Sequence, residues 1–281
     1  MVRSVWLALL LCAVASPAVA QETDAPLPDP DSAGDNWTIA VGPGLTPDYT
    51  GSNDYRLIPA VAVRGKVGGV SLSTKGTYLY ADIFSGKKDD LDLDLGPIVG
   101  VRLNRTGKIK DDVVELLPDR KTAIEVGGFA GVSLHNLTNP YDTLAIGVDV
   151  VHDIGKAHKS TIVSPNVSFS TPLSLKTYAS ASVGLEFVSN KFADYYFSVS
   201  PAESALTGGV LPAFNADGGL KNWKAGLVVN QSITGNLLGG LSVFGMVNYS
   251  RLVGDFKRTP IVSDRGSANQ WLLAVGLAYT F

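Results

Sequence analysis

The sequence predicts an all-β fold, a transmembrane antiparallel β-barrel of about 12 strands, range 10–14, and three observations lead there. The first is the stretch Gln270 to Phe281. Trp271, Leu273, Val275, Leu277, Tyr279 and Phe281 alternate there with Leu272, Ala274, Gly276, Ala278 and Thr280, a period of two in side-chain size. With Trp and Tyr near its two ends, the large face suits a strand that looks out into lipid. The second is that no stretch beyond the amino-terminal segment holds the ~18 consecutive apolar residues a membrane helix needs, whereas β-spans need only ~9–11. The third is the 30 glycines, many inside alternating segments, which disfavour helices and suit a crowded barrel interior.

The amino terminus fits an exported barrel. Arg3 precedes an apolar run from Val5 to about Ala15, then Pro17 and Ala18-Val19-Ala20, so residues 1–20 read as a secretory signal cleaved before Gln21. The single cysteine, Cys12, lies inside it, and the mature chain is expected to hold no thiol, disulfide or cysteine metal site. Residues 21–35, rich in Pro, Asp and Ala without periodicity, read as a flexible periplasmic leader. Residues 36–281 form the barrel domain. The formal charge is −3, and −4 once Arg3 is removed, which gives no electrostatic footprint for nucleic acid.

The strands follow in order. Trp37, Ile39 and Val41 alternate with Thr38, Ala40 and Gly42. Leu57 to Arg64 is extended despite Pro59, which argues for an unpaired or bulged position there. Val67 to Phe84 reads as one strand interrupted by Gly76, with a hairpin at Lys75-Gly76 as the alternative. Leu91, Leu93, Leu95, Val99, Val101 and Leu103 oppose Asp92, Asp94, Gly96, Gly100, Arg102 and Asn104, and charges so placed must face a wet or salt-bridged lumen. The same two-faced pattern recurs at 124–134, 144–150, 163–170, 175–187, 223–230 and 241–252. With the aromatic segment at Tyr195-Tyr196-Phe197 counted as well, and the last strand ending on the periplasmic side, the short Thr171-Pro172 turn falls outside and the long 105–120 connection inside, the reverse of the usual arrangement. Either one strand is two, or that connection carries a short helix around Val113 to Leu117.

The lumen face collects Asp92, Asp94, Glu125, Asp149 and Glu186 against Arg102, Lys176 and Lys224, with the large Phe129 and Tyr178 beside them. Pairing across strands would satisfy charges that a narrow barrel cannot hydrate, so a filled or constricted lumen is expected. A wet channel lined by both signs is the alternative.

Candidate chemistry is sparse, and the expected catalytic, cofactor and metal sites are none. His152 and His158, with Asp149, Asp153 and Ser160 nearby in sequence, hold the residue types of a hydrolase. Both histidines are expected at a solvated rim, with nothing that fixes nucleophile, base and orienter together. The third histidine is His135. The run Lys87-Lys88-Asp89-Asp90 with Asp92 and Asp94 lacks the glycine and terminal glutamate of a calcium loop, and reads as a solvated loop.

Loop residues add a resemblance. Gly42-Pro43-Gly44, Pro47-Asp48-Tyr49-Thr50-Gly51-Ser52 and Pro59 are followed by Tyr195-Tyr196-Phe197-Ser198-Val199 and Leu211-Pro212-Ala213-Phe214-Asn215-Ala216-Asp217-Gly218-Gly219. Arg251-Leu252-Val253-Gly254-Asp255, Pro260-Ile261-Val262 and Tyr279-Thr280-Phe281 close the series. In this order they resemble the MltA-interacting protein family, also called the MipA/OmpV family. Ser198 and Lys257-Arg258-Thr259 depart from its usual pattern. The resemblance implies a non-enzymatic outer-membrane barrel that acts as a scaffold for peptidoglycan turnover, with a lytic transglycosylase and a murein synthase as partners. A surface adhesin or a substrate-specific channel is the alternative. It marks Tyr49, Gly51, Ser52, Pro212, Phe214, Gly218, Gly219, Asp255 and Pro260 as structural or partner-binding loop positions, Tyr49 and Phe214 being the aromatic anchors. Tyr279 and Phe281 also resemble the C-terminal insertion signal of bacterial outer-membrane barrels, which implies the barrel assembly machinery and outer-membrane lipid as partners.

Overall fold

The computed structural model describes residues 36–84 and 91–281. The expected signal, the leader and the Lys87–Asp90 run lie outside them. The described residues form a closed antiparallel barrel: β1 (Trp37–Pro47), β2 (Tyr55–Val67), β3 (Val70–Lys75), β4 (Tyr78–Asp82), β5 (Leu91–Arg102), β6 (Ala123–His135), β7 (Thr143–Asp153), β8 (Thr161–Pro172), β9 (Thr177–Val188), β10 (Gly219–Ser232), β11 (Gly240–Leu252) and β12 (Asn269–Thr280). Each strand pairs with its sequence neighbours, and β1 pairs with β12 to close the sheet. No helix among the described residues is long and apolar enough to cross a membrane.

The region expected as one strand from Val67 to Phe84 is two. β3 and β4 turn at Gly76, whose φ of +58° a residue with a Cβ rarely adopts. In the observed strand order, with helices and no strand in 189–218, the order of turns is not inverted. A 3₁₀ helix, Val114–Leu116, also occupies the 103–122 connection. The connections 48–54, 103–122, 154–160, 189–218 and 253–268 now share the end opposite the terminal strand ends. The turns 68–69, 136–142, 173–176 and 233–239, none longer than seven residues, share the end that carries them, whereas the three longest connections, 103–122, 189–218 and 253–268, lie at the other. Short turns face the periplasm in such barrels, so the long connections face outward.

The alternation read from the sequence holds on the strands. Leu57, Val61, Leu93, Val183 and Val275 are more than half exposed, and together with their neighbours they form an apolar belt that only hydrocarbon can cover. Trp223, Tyr249 and Trp271 pack along its outer border, the first pair edge to face and the second tilted, with ring centroids 5.2 and 4.7 Å apart. Tyr279 and Phe281 stack at the inner border, 6.1 Å apart. Trp271 and Tyr279 are eight positions apart on β12, roughly 26 Å along a strand. A tilt of ~40° brings that to ~20 Å, near the apolar height of an outer membrane. Lys176 departs from expectation: it lies exposed in the 173–176 turn, because the strand begins at Thr177.

Pro59 sits where the sheet is incomplete. β3 pairs only with Arg64–Val67 of β2, so the outer half of β2 has no ladder on that side, where a residue without an N–H loses nothing. The 103–122 connection reaches across: Arg56 donates to the Lys108 carbonyl at 2.9 Å, and Lys110 Nζ to the Tyr55 carbonyl at 2.5 Å.

The seam itself depends on two glycines. A Cβ on Gly42 would land on the carbonyl oxygen of Val275, and one on Gly276 on that of Val41. The two backbones thus approach more closely here than a side chain on either glycine would allow. Replacing Gly276 with valine is expected to destabilise closure by about 3 kcal/mol, the upper end of overpacking costs. The heat-modifiable fraction of the protein on gels should fall with it, and a Leu277→Val control on the lipid face should leave that fraction unchanged.

Candidate functional site

The long connections interlock into a cap over the outward mouth. In 189–218, α1 (Asn190–Phe197) and α2 (Pro201–Leu206) are followed by a return segment whose Phe214 forms an isolated β-bridge with Val199, between the two helices. In 253–268, α3 (Gly254–Arg258) and α4 (Pro260–Ser263) follow directly on β11. Phe197 and Phe256 meet edge to face at 5.0 Å, and Thr259 Oγ1 donates to the Phe197 carbonyl at 2.6 Å. Tyr49, Ile109, Val114, Leu117, Val199, Leu211 and Ile261 form one buried cluster drawn from four connections.

The family-motif positions, scattered in sequence, converge here. Tyr49 is fully buried and donates to the Ile261 carbonyl at 3.2 Å, and burial beside Asp111 raises its pKa. The Gly51 N–H donates to Gln270 Oε1 at 2.9 Å, from a φ of +102°, and Ser52 bridges Gly266. Asp255 accepts the Asp217 N–H at 3.0 Å, and the Gly218 N–H reaches Asn190 Oδ1 at 2.9 Å. Gly219 opens β10 at φ +131°, while Pro260 starts α4 and is buried. Pro212 is exposed and Phe214 half-buried against the core. Tyr49 is thus sealed inside the cap, away from any partner's reach. Arg105 is also buried; it donates to the Tyr196 carbonyl at 3.2 Å, and desolvation with Arg120 nearby lowers its pKa to about 10.

Beneath the cap lies a belt of buried charge. Glu125 accepts from Arg102 at 2.8 and 3.2 Å, from Tyr78 at 2.6 Å, and lies 2.9 Å from His158 Nε2. Glu186 accepts from Lys221 at 2.6 Å and stands 3.8 Å from Arg102. Phe192 of α1 is pressed onto this belt, its ring 5.4 Å from the Arg102 guanidinium, 5.3 Å from Lys221 Nζ and 5.1 Å from the His158 ring. The expectation that His158 is solvated at the rim is corrected: its side chain is fully buried, because its loop folds inward onto Glu125. His152 does face outward and is exposed.

The grouping of Ser160, His158 and Glu125 has the outline of a hydrolytic triad, with Ser160 Oγ 2.7 Å from His158 Nδ1. It is a packing arrangement. Ser160 is 4% exposed, Glu125 is already engaged by Arg102 and Tyr78, and Ser160 and His158 line neither the cavity walled by Tyr80 and Phe129 nor the smaller one beside Arg102 and Lys221. Of the other expected partners, Asp153 accepts the turn amides of Gly155 and Lys159, and Asp149 accepts from Tyr80.

Below the belt the lumen divides. Ala40, Phe244, Ala274 and Ala278, with Ala60, Ala62 and Met246 against them, fill one side. The other side holds a cavity of about 200 Å³ whose walls run from Tyr80, Phe129 and Asp149 to the strand ends at His135 and Thr143, the periplasmic end. Asp92 and Asp94 of β5 line it, as the alternation requires.

Among solved structures, the anion-selective porin from Comamonas acidovorans is 10% identical over 80% of this chain and 60% of its own, with a TM-score of 0.35. The chain thus spans about 60% of that porin's length. OmpT of Vibrio cholerae is 8% identical over 88% of this chain and 97% of its own, TM-score 0.36. The toluene transporter TbuX of Ralstonia pickettii is 9% identical over 89% and 90%, TM-score 0.34. No curated protein sequence matches the chain. The family model described as MltA-interacting protein MipA matches residues 39–281, from the first strand through the terminal phenylalanine, and the chain belongs to that family.

Proposed function

We propose that this chain is a non-enzymatic, non-conducting outer-membrane scaffold that anchors murein-processing enzymes, exported by removal of residues 1–20. The observation that carries the reading is the blocked outward mouth: a cap with its own hydrophobic core, set on a belt of paired charges. A diffusion channel needs a continuous wet path, and the buried Phe192, Tyr196 and Phe197 stand in it. The family description names an interaction with MltA, which supports a lytic transglycosylase as partner, and a murein synthase completes the scaffold.

The periplasmic turns supply a surface for such a partner. Asn139 donates to Thr171 at 3.0 Å and the Leu237 N–H to the Leu175 carbonyl at 3.3 Å, so neighbouring turns brace one another. They carry Tyr141 and Leu175 at 70% and 87% exposure, large side chains of the kind that dominate interface energetics.

In planar bilayers the purified barrel is expected to show no stable stepwise conductance, and removal of residues 190–217 to produce discrete openings. Large, stable openings of the intact protein would overturn the non-conducting reading. Mild crosslinking in cells should retain murein enzymes on the intact chain, with recovery falling at least several-fold for Tyr141→Ser combined with Leu175→Ser. Equal recovery would place the contact elsewhere. Acid should loosen the cap at α2. Burial raises the Glu203 carboxyl pKa, but donors from Ser200 and the Arg120 guanidinium outweigh it and hold it below the usual range. A lowered folded pKa adds stability above the unfolded value, lost as pH falls through the folded one. At neutral pH, Glu203→Gln should therefore weaken amide-exchange protection of 200–209, and the difference should disappear once the wild-type carboxyl is protonated.

A further inference from the structure

The periplasmic cavity has a wall chemistry that the scaffold reading does not use. Serine and threonine hydroxyls ring it, among them Ser71, Ser133, Thr143 and Ser170, and Asp82, Asp92, Asp94 and Asp149 stand between them. Tyr80 and Phe129, with centroids 5.5 Å apart, supply aromatic surface at its inner end, and Tyr178 lines it beside the periplasmic turn. Asp149, which lines the cavity, accepts the Tyr80 hydroxyl at 2.9 Å through Oδ2. Some polar atoms there are unsatisfied. Ser71 Oγ is buried without a hydrogen-bond partner. His135 Nε2 lies 3.3 Å from Asp92 Oδ2 but makes no aligned hydrogen bond to it. Buried polar groups left in this state call for a ligand or water that satisfies them.

The combination selects among ligand classes. Four aspartates against Arg64 and Lys75 disfavour phosphates and other anions. The cavity lies inside a closed sheet and offers no free edge for a peptide strand. Carboxylates that accept from vicinal hydroxyls, short hydroxyls that donate and accept, and aromatic rings that cover C–H faces are what a sugar ring requires. A volume of about 200 Å³ fits one such ring. We propose that the periplasmic half of the lumen is a saccharide-binding pocket, in which Asp149 and the cavity hydroxyls accept and donate to a sugar's hydroxyls and Phe129 covers its apolar face. The cap makes it a dead-end site, reached from the periplasm. This holds whether or not the chain acts as a scaffold.

The test uses the mature protein in a polyoxyethylene or amine-oxide detergent, because glycoside detergents would present the same chemistry. Saturation-transfer NMR and calorimetry would read binding of maltotriose and chitotriose, with spermidine as the cationic comparison. Expected is millimolar or tighter binding of at least one trisaccharide, weakened about tenfold or more by Asp149→Asn and by Phe129→Ala. Both variants should keep their heat-modifiable migration. If either fails to fold, Ser170→Ala and Thr143→Val at the cavity's outer part provide the same comparison. No trisaccharide binding, binding unchanged in all folded variants, or binding of spermidine alone would overturn the proposal.

Discussion

In hydrocarbon a backbone N–H or C=O without a partner costs several kcal/mol, so a sheet that crosses a membrane must close. That requirement fixes most of what is seen here. Strand β12 must meet β1, and the meeting is made by Thr38 to Leu45 against Thr280 to Leu273, with Gly42 and Gly276 allowing the backbones to lie close. The terminal residue takes part as well: Phe281 and Trp37 exchange backbone hydrogen bonds at 2.9 and 3.0 Å beyond the last ladder pairs. Where the ladder is incomplete, on the outer half of β2, a proline occupies the edge and a neighbouring connection spans it.

Closure leaves an interior that must be filled or wetted, and this barrel does both at different depths. Near the outward mouth, carboxylates and cations are removed from water, an arrangement tolerable only when each charge is paired and hydrogen-bonded. Glu125 meets that condition through Arg102, Tyr78 and His158. Breaking one such contact would leave buried charge uncompensated, so the belt resists piecemeal opening and gives the cap a firm floor. The cap adds its own core on top, with Tyr49, Leu211 and Ile261 out of solvent. Toward the periplasm the lumen stays polar and open on one side and closes by alanine packing on the other. The two ends of the molecule therefore differ in kind. The outward end is sealed, while the periplasmic end holds both the cavity and the braced turns.

The two-residue alternation made the strands, their lipid faces and the lumen positions of Asp92, Asp94, Glu125, Asp149 and Glu186 legible, because a strand in a barrel has only two environments and the sequence must write both. The β3–β4 hairpin left a fainter trace. Ser71, Ser73 and Lys75 point inward, then Tyr78 and Tyr80, so the phase slips by one across Gly76. In strands of six and five residues that slip is easily taken for an interruption. Lys176 was misplaced for a related reason: alternation carried on past the strand end gives no sign of where the turn begins.

What the sequence determined alone is the class of solvent on each face, and with it a closed sheet in a bilayer, since side-chain size and polarity are local properties that need no partner to be read. The family motifs marked which loop residues matter, yet not that Tyr49, Gly51, Phe214, Gly218, Asp255 and Pro260 all meet over one mouth. Nor could spacing show His158 turning inward to Glu125, 33 positions away. Those contacts join residues far apart in the chain. They were decided by the tertiary structure, because only the curvature of the closed sheet brings its loops over a common opening.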